Sequence, residues 1–464
     1  MKSVGFALLA AGKGTRLKID IPKALCPALG LTLIDHVILA IKDFTSQSQI
    51  PNEISVIVGH KKEEIISYLD NRKYGVHYLV QKEQKGTGDA LRSYFSERNE
   101  NKQTDYTFVV CADTPLIKAD TFLKIWQSLE AKPSLNAIAA TFKLSEPKGY
   151  GRILRDTNGF RIVEEKDASD AERLVNEVNS GFYLVKTSYL LQQLEKLDNK
   201  NKSGEFYLTD IFKPTAAVEA LVFKDPQEFL GVNTLEQLDE VTTILRKRKN
   251  STLMTSGVVM YNADSIWVDY ESTVEPGVSL YPFCAIYGKS VIESGAVVEN
   301  GSIIKNSIIK SKSQIHAHSV VEDSAIGPGA QIGPFARIRP ASDVGEEAKV
   351  GNFVELKKSK LHRGVKVSHL SYVGDAEIGE DSNIGCGFIT CNYDGRDKHK
   401  TMIGKGVFIG SDVQVIAPIK IGDKSFIAAG STITKDVPSD GFAIARGNQT
   451  TKEGMAHRFL KTKK

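Results

Sequence analysis

The 464-residue sequence predicts two domains of different class: an N-terminal α/β domain with a Rossmann-like, mostly parallel sheet, and an all-β left-handed parallel β-helix of hexapeptide repeats. Three observations predict it. Aliphatic residues recur every six positions from Val268 almost to the C-terminus. Before residue 233, short apolar runs alternate with helical patterns. Between the halves, Leu235, Leu238, Val241, Ile244 and Leu245 recur at helical spacing.

In the first half, Val4–Ala11, Ile54–Val58, Val76–Val80 and Thr107–Cys111 are short apolar runs suited to buried parallel strands. Leu33–Phe44 and Glu63–Leu69 carry helical patterns between them. Residues 1–233 therefore form one domain. Residues 234–253 form a linker helix that carries Arg246-Lys247-Arg248-Lys249, cations that suit a helix C-terminus. The solenoid and a C-terminal tail occupy 254–464.

The six-residue beat runs through Val268, Val274, Leu280, Ile286, Ile292, Val298 and Ile304. Short steps carry it through Ile309, Ile315, Val321 and Ile326. It resumes at Ile332, Ile338, Val344, Val350 and Leu356, and closes with Ile403, Ile409, Val415, Ile421, Ile427 and Ile433. A period of six is neither helical nor simple strand alternation. It fits a triangular coil with one short strand per side and the beat residue pointing inward. Gly327, Gly333, Gly351, Gly410 and Gly422 each follow a beat, as tight corners with unusual backbone angles require. The left hand rests on the hexapeptide pattern, since it opposes the usual right-handed crossover. The beat slips between Leu356 and Val373 and is lost between Ile384 and Ile403.

Hydrophobic content of 41% and charged content of 25% are globular values, and a net charge of +4 over this length does not point to nucleic acid. Five scattered cysteines, Cys26, Cys111, Cys284, Cys386 and Cys391, have no metal-ligand spacing and read as reduced thiols of a cytoplasmic protein. The N-terminal apolar run is too short for a signal peptide and leads into a glycine loop. No stretch is long enough for membrane insertion. The basic tail from His457 to Lys464 reads as a solvated end.

Leu9-Ala10-Ala11-Gly12-Lys13-Gly14-Thr15-Arg16 follows the first strand. Its small residues let backbone N–H groups approach a polyphosphate, with Arg16 and then Lys23 adding charge. The loop lacks the Gly-Lys-Ser/Thr end of a Walker motif. It also carries Leu17 where a dinucleotide fingerprint has its third glycine. A glycine turn with surface cations is the plainer reading of the loop alone.

Leu9-x-x-Gly12-x-Gly14-Thr15-Arg16 followed by Pro22-Lys23 resembles the signature of sugar-1-phosphate nucleotidyltransferases. Gln81 and Gly86-Thr87-Gly88-Asp89-Ala90 resemble that family's uracil-reading segment, and Ala112-Asp113-Thr114-Pro115-Leu116 resembles its strand-end metal aspartate. Gly149-Tyr150-Gly151-Arg152, Glu164, Asn179-Ser180-Gly181 and Gly231-Val232-Asn233 resemble its sugar and second metal segments. Taken with the β-helix, the whole chain resembles the bifunctional N-acetylglucosamine-1-phosphate uridyltransferase/glucosamine-1-phosphate acetyltransferases.

For the first half, the resemblance implies attack of N-acetylglucosamine-1-phosphate on UTP with release of pyrophosphate. Leu9, Ala10, Ala11, Gly12, Gly14, Gln81, Gly86, Thr87 and Cys111 would line the UTP and UDP-N-acetylglucosamine site. Arg16 and Lys23 would hold the leaving pyrophosphate, Asp113 and Asn233 would ligate Mg²⁺, and Gly149, Glu164 and Asn179 would bond the sugar. Two positions depart from the family. Cys111-Ala112-Asp113 stands where Tyr-Gly-Asp is common, and Asp89 replaces a histidine.

For the second half, the two interruptions of the beat hold its chemistry, because broken local rules mark function. The resemblance implies acetylation of glucosamine-1-phosphate by acetyl-CoA. Arg339, Lys357 and Lys398 would hold the phosphate, and Tyr372, Asn383 and Asn392 would position the sugar. His369 would take the amine proton, with Glu355 a candidate to orient it. Cys386, Asn392, Tyr393, Ser411, Ala429 and Arg446 would receive acetyl-CoA, the backbone N–H of Cys386 serving the oxyanion. A nucleophilic Cys386 is the sharper alternative. The resemblance also implies a homotrimer with shared acetyltransferase sites, and supply of peptidoglycan and lipopolysaccharide precursors. Two rivals remain at this stage: a single-activity nucleotidyltransferase with a regulatory or assembly β-helix, and a non-enzymatic scaffold.

Overall fold

The computed structural model describes residues 2–96, 103–157 and 159–460. Of the basic tail, Lys461–Lys464 lie outside the described residues. The chain divides into two units, 1–245 and 246–464. The division falls inside the helix Leu235–Thr255.

The first unit is built on a mixed sheet. Its order is Val218–Phe223, Ala137–Lys143, Glu177–Lys186, Tyr106–Cys111, Val4–Ala10, Asn52–Val58 and His77–Val80. Neighbours from Tyr106–Cys111 to His77–Val80 run parallel, as the continuous apolar runs predicted. Glu177–Lys186 runs antiparallel to both of its neighbours along this order. The helices Leu33–Ser48 and Lys62–Arg72 occupy the predicted positions. Stacked and edge-on phenylalanines Phe6, Phe44, Phe108, Phe122 and Phe182 fill one core. A second core lies around Ala7, Ile57, Leu91 and Val109. Strand order reverses at Val4–Ala10, which pairs with Asn52–Val58 on one side and Tyr106–Cys111 on the other. Ligands of open α/β sheets bind outside the strand C-termini at such a reversal.

The second unit is a parallel β-helix. Three sheets of two- to four-residue strands run the length of the unit, and each strand pairs with the third strand after it until the last pair, Phe426–Ile427 with Phe442–Ala443, where one strand is skipped. Every beat residue from Val268 to Leu356 and from Ile403 to Ile433 is buried in one continuous core. The slip expected between Leu356 and Val373 is only a shortened step. Leu361 and Val367 carry the beat there and are buried with the rest. Beyond Ile384 the beat is kept by a polar residue, Thr390, which is buried and lies in register with Val415.

Of the glycines that follow a beat, only Gly333 has positive φ. At the others the constraint is space. A Cβ on Gly327 or Gly410 would lie 2.6 or 2.5 Å from backbone of the next coil. Buried serines line a corner and cross-link coils: Ser290, Ser307 and Ser324 each accept an N–H from the serine one coil on.

Candidate active sites

The loop after Val4–Ala10 and the turn after Tyr106–Cys111 meet at the sheet reversal. The N–H of Ala112 donates to the Leu9 carbonyl at 3.1 Å, and Gln84 donates to the Ala11 carbonyl at 2.8 Å. A cavity of about 290 Å³ opens there, lined by Leu9, Ala10, Ala11, Gly12, Lys23, Gln81, Gly86, Thr87, Cys111 and Asp113. A second hollow shares Cys111 and Asp113 with it and is lined further by Arg16, Gly149, Tyr150, Gly231 and Asn233. Gln84, Glu205 and Lys148 were missed at the sequence level as lining residues. They flank glycines, Gln84 before Gly86, Lys148 before Gly149 and Glu205 after Gly204, but stand outside the motifs that carry the resemblance.

Arg16, Lys23, Asp113 and Asn233 are brought together from opposite ends of the unit. Lys23 Nζ bonds the Asp113 carboxylate and lies 2.7 Å from Asn233 Oδ1, which Arg16 also reaches at 2.8 Å. Two oxygens, one from a carboxylate and one from an amide, thus converge on one ammonium. Gly231 sits beside both: a Cβ there would stand 3.9 Å from Asp113 Oδ1 and 4.0 Å from Asn233 Nδ2. Gln237 accepts the Asn233 N–H at 2.8 Å and holds the residue from the helix behind it.

Asp89 has a visible effect. Gln81 Nε2 donates to Asp89 at 2.8 Å and to the Gly86 carbonyl at 3.2 Å, so both bonds fix the orientation of the amide. Gly86 has φ of 106°, and the Phe206 carbonyl lies 2.7 Å from where its Cβ would stand. Cys111 lies 3.6 Å from the Cβ position of Gly181, and burial followed by the nearby Asp113 pushes its thiol up to about 12. It is therefore a neutral wall of both hollows. Glu164 accepts from Thr209 at 3.0 Å, and burial raises its carboxyl. Asn179 donates to the Tyr183 hydroxyl at 2.7 Å, beside Gly151.

In the β-helix, a cationic patch gathers around the second interruption. From Trp267 on, offsets between paired coils are 17 or 18 residues until Ala376, which pairs with Thr401. The extra length is an excursion over residues 391–400. Asn392 donates to Asp375 at 2.5 Å. Lys398 lies against Lys357. This contact first, then burial and Arg339, holds the Lys357 ammonium below its ordinary range. Tyr372 neighbours Arg339, and its hydroxyl covers Gly374.

Glu355 does not orient His369. Lateral neighbours in this solenoid lie 17 or 18 residues apart, and Asn352 is the residue at that offset. Its Oδ1 stands 2.8 Å from His369 Nδ1, whereas Glu355 takes Arg339 at 2.7 Å. An amide oxygen only accepts, so Nδ1 is the donor in this contact. Asn383 stands two residues before the Gly385-Cys386-Gly387 corner, in register with Lys366 on the strand of His369. Cys386, Ser411 and Ala429 stack on successive coils. The Cys386 carbonyl accepts from Asp412, the Ser411 carbonyl from Gly430, and Arg446 donates to the Ala429 carbonyl at 3.1 Å. Tyr393, at 60% exposure, stands on the excursion.

Comparison with known proteins adds a family to this geometry. The MobA-like NTP transferase domain matches residues 6–203, the GMPPB C-terminal domain matches 268–342, and the bacterial transferase hexapeptide (six repeats) matches 400–435. The curated bifunctional protein GlmU of Geotalea uraniireducens is 39% identical over 98% of this chain and 99% of its own length. That of Shouchella clausii is 40% identical, covering 97% and 98%. That of Staphylococcus saprophyticus is 46% identical, covering 96% and 98%. With both units matched end to end at this identity, the chain belongs to the family of bifunctional GlmU proteins.

Proposed function

We propose that the residues assembled above divide two reactions between the two units. The chain is a bifunctional enzyme of UDP-N-acetylglucosamine synthesis. Its β-helix transfers acetyl from acetyl-CoA to glucosamine-1-phosphate. Its α/β unit then transfers uridylyl from UTP to N-acetylglucosamine-1-phosphate and releases pyrophosphate. The product feeds cell-wall biosynthesis.

In the α/β unit, the backbone of Leu9–Gly12 receives the nucleotide, with Gly14 shaping the turn behind it. The fixed Gln81 amide oxygen accepts from the N3–H of uracil, beside Gly86 and Thr87. Arg16 and Lys23 take the charge of the leaving pyrophosphate, and Gly149, Glu164 and Asn179 hold the sugar. Asp113 and Asn233 would hold Mg²⁺, which when bound neutralises phosphate oxygens during transfer. The convergence of both oxygens on the Lys23 ammonium carries this assignment.

In the β-helix, Arg339, Lys357 and Lys398 hold the phosphate of glucosamine-1-phosphate. Tyr372, Asn383 and Asn392 orient the sugar. His369 Nε2 takes the proton as the amine attacks the thioester, and Asn352 holds the ring through Nδ1. The Cys386 N–H receives the oxyanion, while Tyr393, Ser411, Ala429 and Arg446 bind acetyl-CoA. The shared face of neighbouring β-helices completes these sites in a homotrimer. Among the described residues no helix is long and apolar enough to cross a membrane, and free thiols accord with a cytoplasmic enzyme.

The test is a two-channel assay with glucosamine-1-phosphate, acetyl-CoA, UTP and Mg²⁺, following CoA thiol and pyrophosphate separately. Pyrophosphate release should require acetyl-CoA unless N-acetylglucosamine-1-phosphate is supplied. Pyrophosphate without CoA release would leave the β-helix a regulatory module.

A further inference from the structure

The excursion between Thr390 and Thr401 is tied twice, by different carboxylates. At its base, Asn392 is held by Asp375, and the His399 N–H donates to the Asn392 carbonyl at 2.8 Å. At its tip, Asp394 accepts the N–H groups of Arg396 at 2.8 Å and Asp397 at 2.7 Å through one oxygen. Its other oxygen meets His399 Nε2 at 2.7 Å. These contacts, the Asp397 amide first and His399 next, hold the Asp394 carboxyl well below the usual carboxylate range. Tyr393 and Lys398 face each other across an antiparallel bridge, and the Tyr393 hydroxyl donates to the Gly395 carbonyl at 2.8 Å.

Lys398 thus stands beside the imidazole in sequence and against Lys357 in space. Two ammoniums with Arg339 near them repel one another. A surface loop of this length gains chain entropy by opening, and opening also separates the charges. Something in the loop has to oppose both effects before a phosphate arrives. The half-buried His399 is placed to do so, because it joins the last residues of the excursion to the first.

We propose that His399 is a positioning residue for acetyl transfer: by closing on Asp394 it keeps the excursion folded, so that Lys398 stays beside Lys357 and Asn392 stays over the sugar. It touches no substrate. The proposal rests on the reading of Lys357 and Lys398 as holders of the sugar phosphate.

Three variants of the full chain test it: His399→Ala, His399→Gln, whose amide keeps a donor near the place of Nε2, and Lys398→Met. His399→Ala is expected to raise KM for glucosamine-1-phosphate about tenfold with kcat little changed, the loss of one charge-assisted hydrogen bond. The amides of Arg396 and Asp397 should exchange faster, and pyrophosphate release from N-acetylglucosamine-1-phosphate and UTP should be unchanged. His399→Gln should recover most of the KM. A wild-type KM in His399→Ala, with KM raised in Lys398→Met, overturns the positioning role alone. A wild-type KM in both overturns the phosphate reading and the proposal with it. A His399→Gln enzyme no better than His399→Ala also counts against the proposal.

Discussion

In the α/β unit, Arg16 and Lys23 rest on Asn233 and Asp113; in the β-helix, Lys357 and Lys398 rest on each other. The nearby acids of the β-helix are already engaged, Glu355 by Arg339 and Asp375 by Asn392. One patch is neutralised within the chain, and its cations must leave their oxygens to meet phosphate. The other is compensated only in part, Arg339 by Glu355 and Lys357 by the more distant Asp375, and keeps an excess of positive charge. The difference matches the chemistry. Uridylyl transfer joins two anions and needs hard oxygens for a metal as well as cations. Acetyl transfer needs only an anchor for one phosphate and a base for one amine.

Removing Asp113 should break the comparison most strongly. Asp113→Ala is expected to lower uridylyl transfer on the order of a thousandfold, with CoA release unchanged. If the two channels fall together, the patches are not independent. His369→Ala should do the reverse. CoA release should fall about a hundredfold, while pyrophosphate release from supplied N-acetylglucosamine-1-phosphate holds.

A smaller effect sharpens the charge argument. Lys357→Met should raise KM for glucosamine-1-phosphate about tenfold, read from initial rates of CoA release. In the unaltered enzyme the lowered Lys357 ammonium sets the sign of a pH effect. Binding needs the charged form, so KM should climb as pH rises, beginning below the ordinary lysine range. A flat KM there would show that Lys357 does not hold the phosphate. The smallest effect concerns Cys386. Cys386→Ala should leave acetyl transfer within about twofold, since a backbone donor survives the change. A large loss would revive the covalent alternative.

The inward beat was legible because each coil buries one aliphatic residue per side and little else. Leu361 and Val367 escaped because one five-residue step shifts the phase, and Thr390 because it is polar. The buried serines escaped for the same reason; their hydroxyls are satisfied by backbone of neighbouring coils, which no single-coil pattern reveals. Asp113 and Asn233 were legible only through motif resemblance, since their meeting depends on sheet order. The candidate partner of His369, Glu355, is engaged by Arg339 instead. In a solenoid the neighbour is set by coil length, which points to Asn352.

The constant coil offset has a consequence for how the chain is made. Each strand of the β-helix finds its partner after 17 or 18 further residues over most of the unit, and after 25 only for the three strands between Ala376 and Cys391. Such all-β architecture avoids the long-range closures that slow sandwiches and barrels. As the chain leaves the ribosome, every completed turn offers a template edge to the next, and the unit can be laid down in the order it is translated.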